Sequence, residues 1–328
     1  MSRVASLLVA LALAAPAAHA QPRSEDARDR GRRGALAEAA LRAEPISFAL
    51  DVPYAGTEDP RQRLDLYLPK ERRAQKLPVI VFVHGGGWMH GNKSSGARLL
   101  LPYVRTGEYA GVSVGYRLSG EATWPAQIHD AKAAIRWVRA NAAAHGLDPD
   151  RIGVFGRSAG GHLALLLGVA GDVPELEGAL GPHEGVSSAV SCVVNYFGVT
   201  EPLAIIGQES DIDRTRADAP EARLLGGPLR ENEEKAKAAA PTTYVSPNDP
   251  PVLTLHGTAD RTVPYDQAVR LDAALRAAGV PSYLVTIEGA GHGDFPPAAD
   301  ERAAAFFARC LLGKDAVVST GAIDATER

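Results

Sequence analysis

A chain of 328 residues, 45% hydrophobic and 23% charged, has ordinary globular composition and is long enough to bury one large core. Its net charge of −4, with no Lys/Arg cluster interleaved with aromatics, argues against nucleic acid as a partner. No H-E-x-x-H or Cys/His spacing suggests a catalytic metal and no G-x-G-x-x-G loop suggests a dinucleotide, so no cofactor is expected.

Arg3, the apolar run Ala5 to Ala15, Pro16 and the small-residue site Ala18-His19-Ala20 read as a signal peptide over residues 1–20, cleaved after Ala20. The apolar run is too short to span a bilayer, no Arg-Arg pair precedes it, and Gln21 rather than Cys follows the site. The expectation is Sec-type export to the periplasm or medium, with no membrane or lipid anchor. Residues 21–44, dominated by Arg, Asp, Glu and Ala, bury too little apolar surface to fix themselves and read as a mobile leader, helical near Ala35 to Ala43. Residues 314–328 form a similarly polar tail.

Between them, residues 45–313 read as one α/β domain. Gln62 to Leu68 suit an antiparallel hairpin at its start. The continuous apolar runs Leu77 to Val83, Tyr109 to Val114, Ile152 to Phe155, Ala189 to Phe197 and Val252 to Leu255 suit strands covered on both faces. Ile128, Ala131, Ile135 and Val138 make one helix stripe, and Leu271, Leu275 and Ala278 another. Strand and helix in alternation predict a mostly parallel sheet flanked by helices. The mixed-charge stretch of about 200–245 interrupts that rhythm and reads as a small polar cap insertion. Cys192 and Cys310 permit at most one disulfide; both lie in apolar stretches and are expected as buried free thiols.

Gly156-Arg157-Ser158-Ala159-Gly160 matches G-x-S-x-G between the strand ending at Phe155 and a helix from Gly161 to Leu167. A sharp strand-to-helix turn there leaves no room for Cβ atoms and sets Ser158 at a helix N-terminus, so Ser158 is the candidate nucleophile. His84-Gly85-Gly86-Gly87-Trp88 follows the strand ending at Val83, at the edge where open α/β sheets bind ligands. The N–H groups of Gly86, Gly87 and Ala159 are the candidate oxyanion donors. His84 reads as a hydrogen-bonder that orders the loop, and Trp88 either packs beneath it or lines a substrate pocket. A serine hydroxyl needs a base, and the base a carboxylate to hold its tautomer. His292, in Gly289-Ala290-Gly291-His292-Gly293 after the strand-like Tyr283 to Ile287, is the candidate base. Asp260, after the strand Val252 to Leu255, is the candidate orienter, with Asp294, Asp266 and Glu201 in reserve. The order Ser158, Asp260, His292 is that of α/β-hydrolases.

Arg63-Leu64-Asp65-Leu66-Tyr67-Leu68-Pro69, the His84 to Trp88 loop, Gly156 to His162, His256 to Pro264 and Gly289 to Gly293 together resemble the esterase/lipase branch of the α/β-hydrolases. The hormone-sensitive-lipase-like enzymes and the bacterial feruloyl and acetyl xylan esterases are the nearest in pattern, over roughly Pro45 to Gly313. The resemblance implies metal-free acyl transfer through an acyl-serine on a small-molecule ester, with short-chain or aromatic acyl groups, including polysaccharide-linked ones, as expected substrates. The charged 200–245 segment departs from the apolar lid of interfacial lipases. Two other readings stay open: an amide, formamide or small-peptide hydrolase using the same triad, and a non-catalytic binding module on a hydrolase scaffold. Oligomeric state is not legible.

Overall fold

The computed structural model describes residues 38–171 and 173–326. The signal-peptide reading and most of the leader lie outside these; the last residues of the leader, 38–42, are helical. From Pro45 onward the chain forms one compact unit.

Nine strands make a single sheet: β1 (Ile46–Pro53), β2 (Arg63–Pro69), β3 (Leu77–Val83), β4 (Ala110–Val114), β5 (Leu147–Arg157), β6 (Cys192–Tyr196), β7 (Val252–Gly257), β8 (Ser282–Glu288) and β9 (Ile323–Asp324). Their order is β1-β2-β4-β3-β5-β6-β7-β8-β9. β1 and β2 form the expected hairpin and β2 runs antiparallel to β4; every other pairing is parallel. The buried strands carry apolar residues without alternation because both faces are covered: all seven residues of β3 and all five of β6 are buried.

Five longer helices supply the cover: α1 (Gly96–Val104), α2 (Ala126–Ala140), α3 (Ala159–Val169), α4 (Asp266–Ala277) and α5 (Pro297–Leu312). Along β5, Val154 joins Ile135 of α2, Leu163 of α3 and Leu271 of α4 in one core. Phe155 points the other way, its ring 6.4 Å from that of Tyr103 in α1 and 6.2 Å from that of Phe307 in α5. α3 has no charged residue and is buried along its whole length, as a helix running beneath the other layers must be.

Within the polar stretch 314–328, to which the sequence assigned no element, Ile323 and Asp324 pair with Ile287 and Glu288 as a ninth strand, and Ile323 is buried. One apolar residue at the sheet edge was too short a pattern to register as a strand. The 200–245 segment consists of short helices at Ala204–Gly207, Pro220–Leu225, Leu229–Glu231, Glu233–Ala238 and Pro241–Tyr244. Its charges are not all solvated. Arg214 and Glu221 form a buried ion pair with Nη1 2.7 Å from Oε1, and Arg214 Nη2 also donates to the Thr262 carbonyl. Cys192 is buried and Cys310 half-buried; both are free thiols, with a side-chain contact between them.

Candidate active site

Because β3, β5, β6, β7 and β8 run parallel, the turns that leave them all emerge at one edge of the sheet. That edge collects the His84 to Trp88 loop, Ser158, Phe197, Asp260 and His292. A cavity of about 570 Å³ opens there, with Gly86, Gly87, Ser158, Ala159 and His292 among its walls. Such a volume lies within the range of small-molecule sites.

Ser158 sits between β5 and α3 with φ 55° and ψ −124°, a conformation that a residue with a side chain adopts only when its surroundings impose it. Its N–H donates to Tyr196 O at 2.9 Å and its carbonyl accepts from the His162 N–H at 3.0 Å. The flanking glycines are dictated by space. A Cβ on Gly156 would lie 2.1 Å from Gly160 O, and one on Gly160 would lie 2.1 Å from Val83 O. The first glycine of the preceding loop packs onto the same turn, since a Cβ on Gly85 would lie 2.6 Å from Arg157 O.

Gly86, Gly87 and Trp88 take φ values of 109°, 60° and 56° in succession. The turn is closed by the His90 N–H on Gly86 O at 3.0 Å, which leaves a Cβ on Gly86 no room. Among the described residues the N–H groups of Gly86, Gly87 and Ala159 make no hydrogen bond, so three donors beside Ser158 stay free for an oxyanion. Trp88 borders the cavity but is only 1% exposed. Its indole N–H is spent on His162 Nδ1 at 3.3 Å, and His162 Nε2–H donates to Ala239 O at 2.6 Å. Burial lowers the His162 pKa to about 4, against the opposing bond to Ala239, which keeps the ring neutral and able to accept from Trp88. His84 orders the loop as expected: Nδ1–H donates to Gly85 O at 2.8 Å and the ring stacks on Tyr116 at 4.2 Å. Burial lowers its pKa to about 4 as well.

Asp260 is 4% exposed behind His292. Its Oδ2 lies 2.7 Å from His292 Nδ1, and its Oδ1 accepts from the Thr262 and Val263 N–H groups, both at 2.8 Å. The acceptor on Nδ1 leaves the proton there and turns the Nε2 lone pair outward. Burial pushes the Asp260 carboxyl upward, yet hydrogen bonds from His256 and His292 and from the Val263 N–H outweigh it. They hold the group well below the usual carboxylate range. The reserve acids are engaged elsewhere: Asp266 accepts from Gln208 at 2.6 Å, Glu201 pairs with Arg270 at 3.3 Å, and Asp294 borders the cavity without bonding His292.

Four residues at the site escaped sequence reading. His256 is buried, with Nε2 2.7 Å from Val263 O and 3.3 Å from Asp260 Oδ2. Phe197 adopts φ 42° after β6 and brings its ring 4.6 Å from that of His292. Arg214 and Glu221 line the cavity from the 200–245 segment, and the bond from Arg214 Nη2 to Thr262 O ties that segment to the loop carrying Asp260. Only His256 had a visible signal, its place four residues before Asp260 at the end of a buried strand.

The profile of the BD-FAE family matches residues 64–275. Esterase LipC of Mycobacterium tuberculosis is 33% identical over 238 residues, covering 72% of this chain and 58% of that protein. The isoprenylcysteine alpha-carbonyl methylesterase ICME of Arabidopsis thaliana is 31% identical over 257 residues, covering 72% and 55%. The chain thus spans little more than half the length of these curated relatives. Among solved structures, a truncated form of a carbohydrate esterase from gut microbiota superposes with a TM-score of 0.75 at 33% identity, covering 82% of this chain and 98% of that one. The butyrate-bound esterase Est2 of Thermogutta terrifontis superposes with a TM-score of 0.60 at 31% identity, covering 75% and 84%. A sheet of this order, a strained serine after its central strand and a family profile spanning more than half the chain lead to one assignment: this protein belongs to the BD-FAE family of α/β-hydrolase esterases.

Proposed function

We propose that the protein is a serine carboxylic-ester hydrolase in which Ser158 attacks the ester carbonyl, His292 is the base and Asp260 orients it. The observation that carries this reading is the 2.7 Å bond from His292 Nδ1 to buried Asp260, at a cavity that His292 shares with Ser158 and three free peptide N–H groups. His292 Nε2 takes the Ser158 proton as Oγ bonds to the carbonyl carbon. The N–H groups of Gly86, Gly87 and Ala159 hold the tetrahedral oxyanion. His292 then returns the proton to the departing alkoxide, leaving an acyl-serine, and water repeats the cycle in reverse.

Short-chain or aromatic acyl esters, including those on polysaccharides, are the proposed substrates. Pro220 supports a short acyl site, because it stands so close over the glycine loop that a Cβ on Gly87 would lie 3.3 Å from it. Arg214 and Glu221 put a buried ion pair in the cavity lining, which suits a long alkyl chain poorly. The gut carbohydrate esterase among the structural neighbours is in keeping with polysaccharide-linked esters. Export to the periplasm or medium, from the signal-peptide pattern of residues 1–20, would bring the enzyme to such substrates.

The test is a panel of nitrophenyl esters of rising acyl length, with methyl ferulate, acetylated xylan and a formamide, run on the wild type and on Ser158→Ala. Turnover should peak at the short or aromatic acyl groups and fall by about 10⁴-fold or more in Ser158→Ala. Retained activity in that variant contradicts the assignment of the nucleophile; equal turnover of emulsified long-chain esters contradicts the acyl preference.

A further inference from the structure

Two further hollows lie beside the one that holds Ser158. The larger, about 560 Å³, opens between α1 and α5 and is walled by the rings of Tyr103, Tyr109, Phe155, Tyr196 and Phe295. Between it and Ser158 lies a smaller one of about 310 Å³. The small hollow shares Phe197, Gly293 and Asp294 with the Ser158 cavity, and Tyr196, Phe295 and Asp300 with the aromatic one. Arg157 borders all three. It is the residue before the nucleophile, and it is held at the bend. Its guanidinium lies 5.0 Å over the Tyr196 ring, Nη2 is 3.7 Å from Asp300 Oδ1, and the Tyr196 hydroxyl donates to that same carboxylate at 2.8 Å. The three hollows therefore adjoin one another through shared walls, with Arg157 at every boundary.

The chemistry of the proposed reaction says which half of an ester enters this arm. The base must hand its proton to the leaving oxygen, so the alcohol departs on the His292 side. The connecting hollow is walled by the residues that follow His292, namely Gly293, Asp294 and Phe295. The acyl half is then left to the rest of the Ser158 cavity, whose lining includes Pro220 and Ile212. Aromatic rings with Leu99, Pro102 and Ala304 make the distant hollow apolar inside, whereas Arg98, Glu108 and Glu301 lie among its charged borders. Such a surface stabilises an apolar ring by removing it from water and by edge or face contacts with the ring walls.

We propose that this aromatic hollow is a leaving-group subsite that takes an apolar, ring-bearing group on the alcohol side of the ester. The inference rests on the esterase reading above and, within it, favours esters of apolar alcohols over polysaccharide-linked ones. Its test uses the full chain and acetates of ω-phenylalkyl alcohols with linkers of increasing length, each measured against ethyl acetate. The ratio of kcat/KM, arylalkyl to ethyl, should rise about tenfold at the linker length that lets the ring pass Arg157 and fall again beyond it. Leu99→Trp on α1 and Ala304→Trp on α5 fill the hollow from opposite walls; each should lower that ratio about tenfold, chiefly through KM. A ratio that is flat with linker length, or untouched by both variants, overturns the subsite while leaving the esterase reading intact. A gain seen with an acetylated methyl xyloside and not with the phenylalkyl acetates overturns the apolar assignment in favour of a sugar. No turnover of any acetate overturns the esterase reading and this inference with it.

Discussion

The two halves of the candidate site are held by different forces. On the Ser158 side the backbone is fixed by lack of space: Gly85, Gly156 and Gly160 let three chain segments touch where a single Cβ would intrude. On the Asp260 and His292 side the geometry is fixed by polar bonds. Asp260 receives two peptide N–H groups and His292, and the peptide of Thr262 is held from the other side by Arg214, itself paired with Glu221. The first half should fail when volume is added, and the second when a charge or bond is removed with volume conserved.

The sharpest separation of the two halves is expected from Asp260→Asn. An Asn carbonyl can keep the bonds from Thr262 and Val263, so the fold should persist, but the amide cannot accept from His292 on the side where it now carries hydrogens. Turnover should fall about 10³ to 10⁴-fold, with an unfolding midpoint within a few degrees of wild type. Loss confined to KM would show that Asp260 does not orient the base. Gly160→Ala is the opposite case. Its Cβ would meet Val83 O at 2.1 Å and His84 O at 2.6 Å, backbone atoms that have nowhere to move, so stability should drop by about 3 kcal/mol or more in urea unfolding. A variant as stable as wild type would mean that the turn has slack.

The smallest effect concerns pH and falls on the glycine-loop half. His84 and His162 both have pKa values lowered by burial from 6.5 to about 4, so the unfolded chain binds their protons first as pH falls. Their contribution is complete above pH 6.5 and is lost as pH drops from there towards 4. Between pH 7 and 6 the two together should cost about 1 kcal/mol of unfolding free energy. His162→Gln should flatten that slope by about half; an unchanged slope would remove His162 from the account.

Much of this was legible in the sequence, and the reasons differ by element. The strands β3, β6 and β7 declared themselves because burial on both faces demands unbroken apolar runs, and Ser158 because a turn without room for Cβ atoms demands glycine at fixed offsets. Asp260 and His292 followed from chain order and from their places after strands. What stayed hidden depends on three-dimensional neighbours: the left-handed Phe197 beside His292, the buried Arg214 and Glu221 pair within the mixed-charge run, and the short strand β9. The second hollow is beyond sequence reading altogether, since its rings come from α1, β5, β6 and the segments beside them.

Whether Ser158 is a nucleophile activated at this edge of the sheet is read by treatment with a fluorophosphonate probe, followed by intact-mass and peptide mapping. A single adduct on Ser158 is expected, absent in Ser158→Ala and formed more slowly in Asp260→Asn. Labelling that persists in Ser158→Ala, or a wild-type protein that takes up no probe, would contradict it.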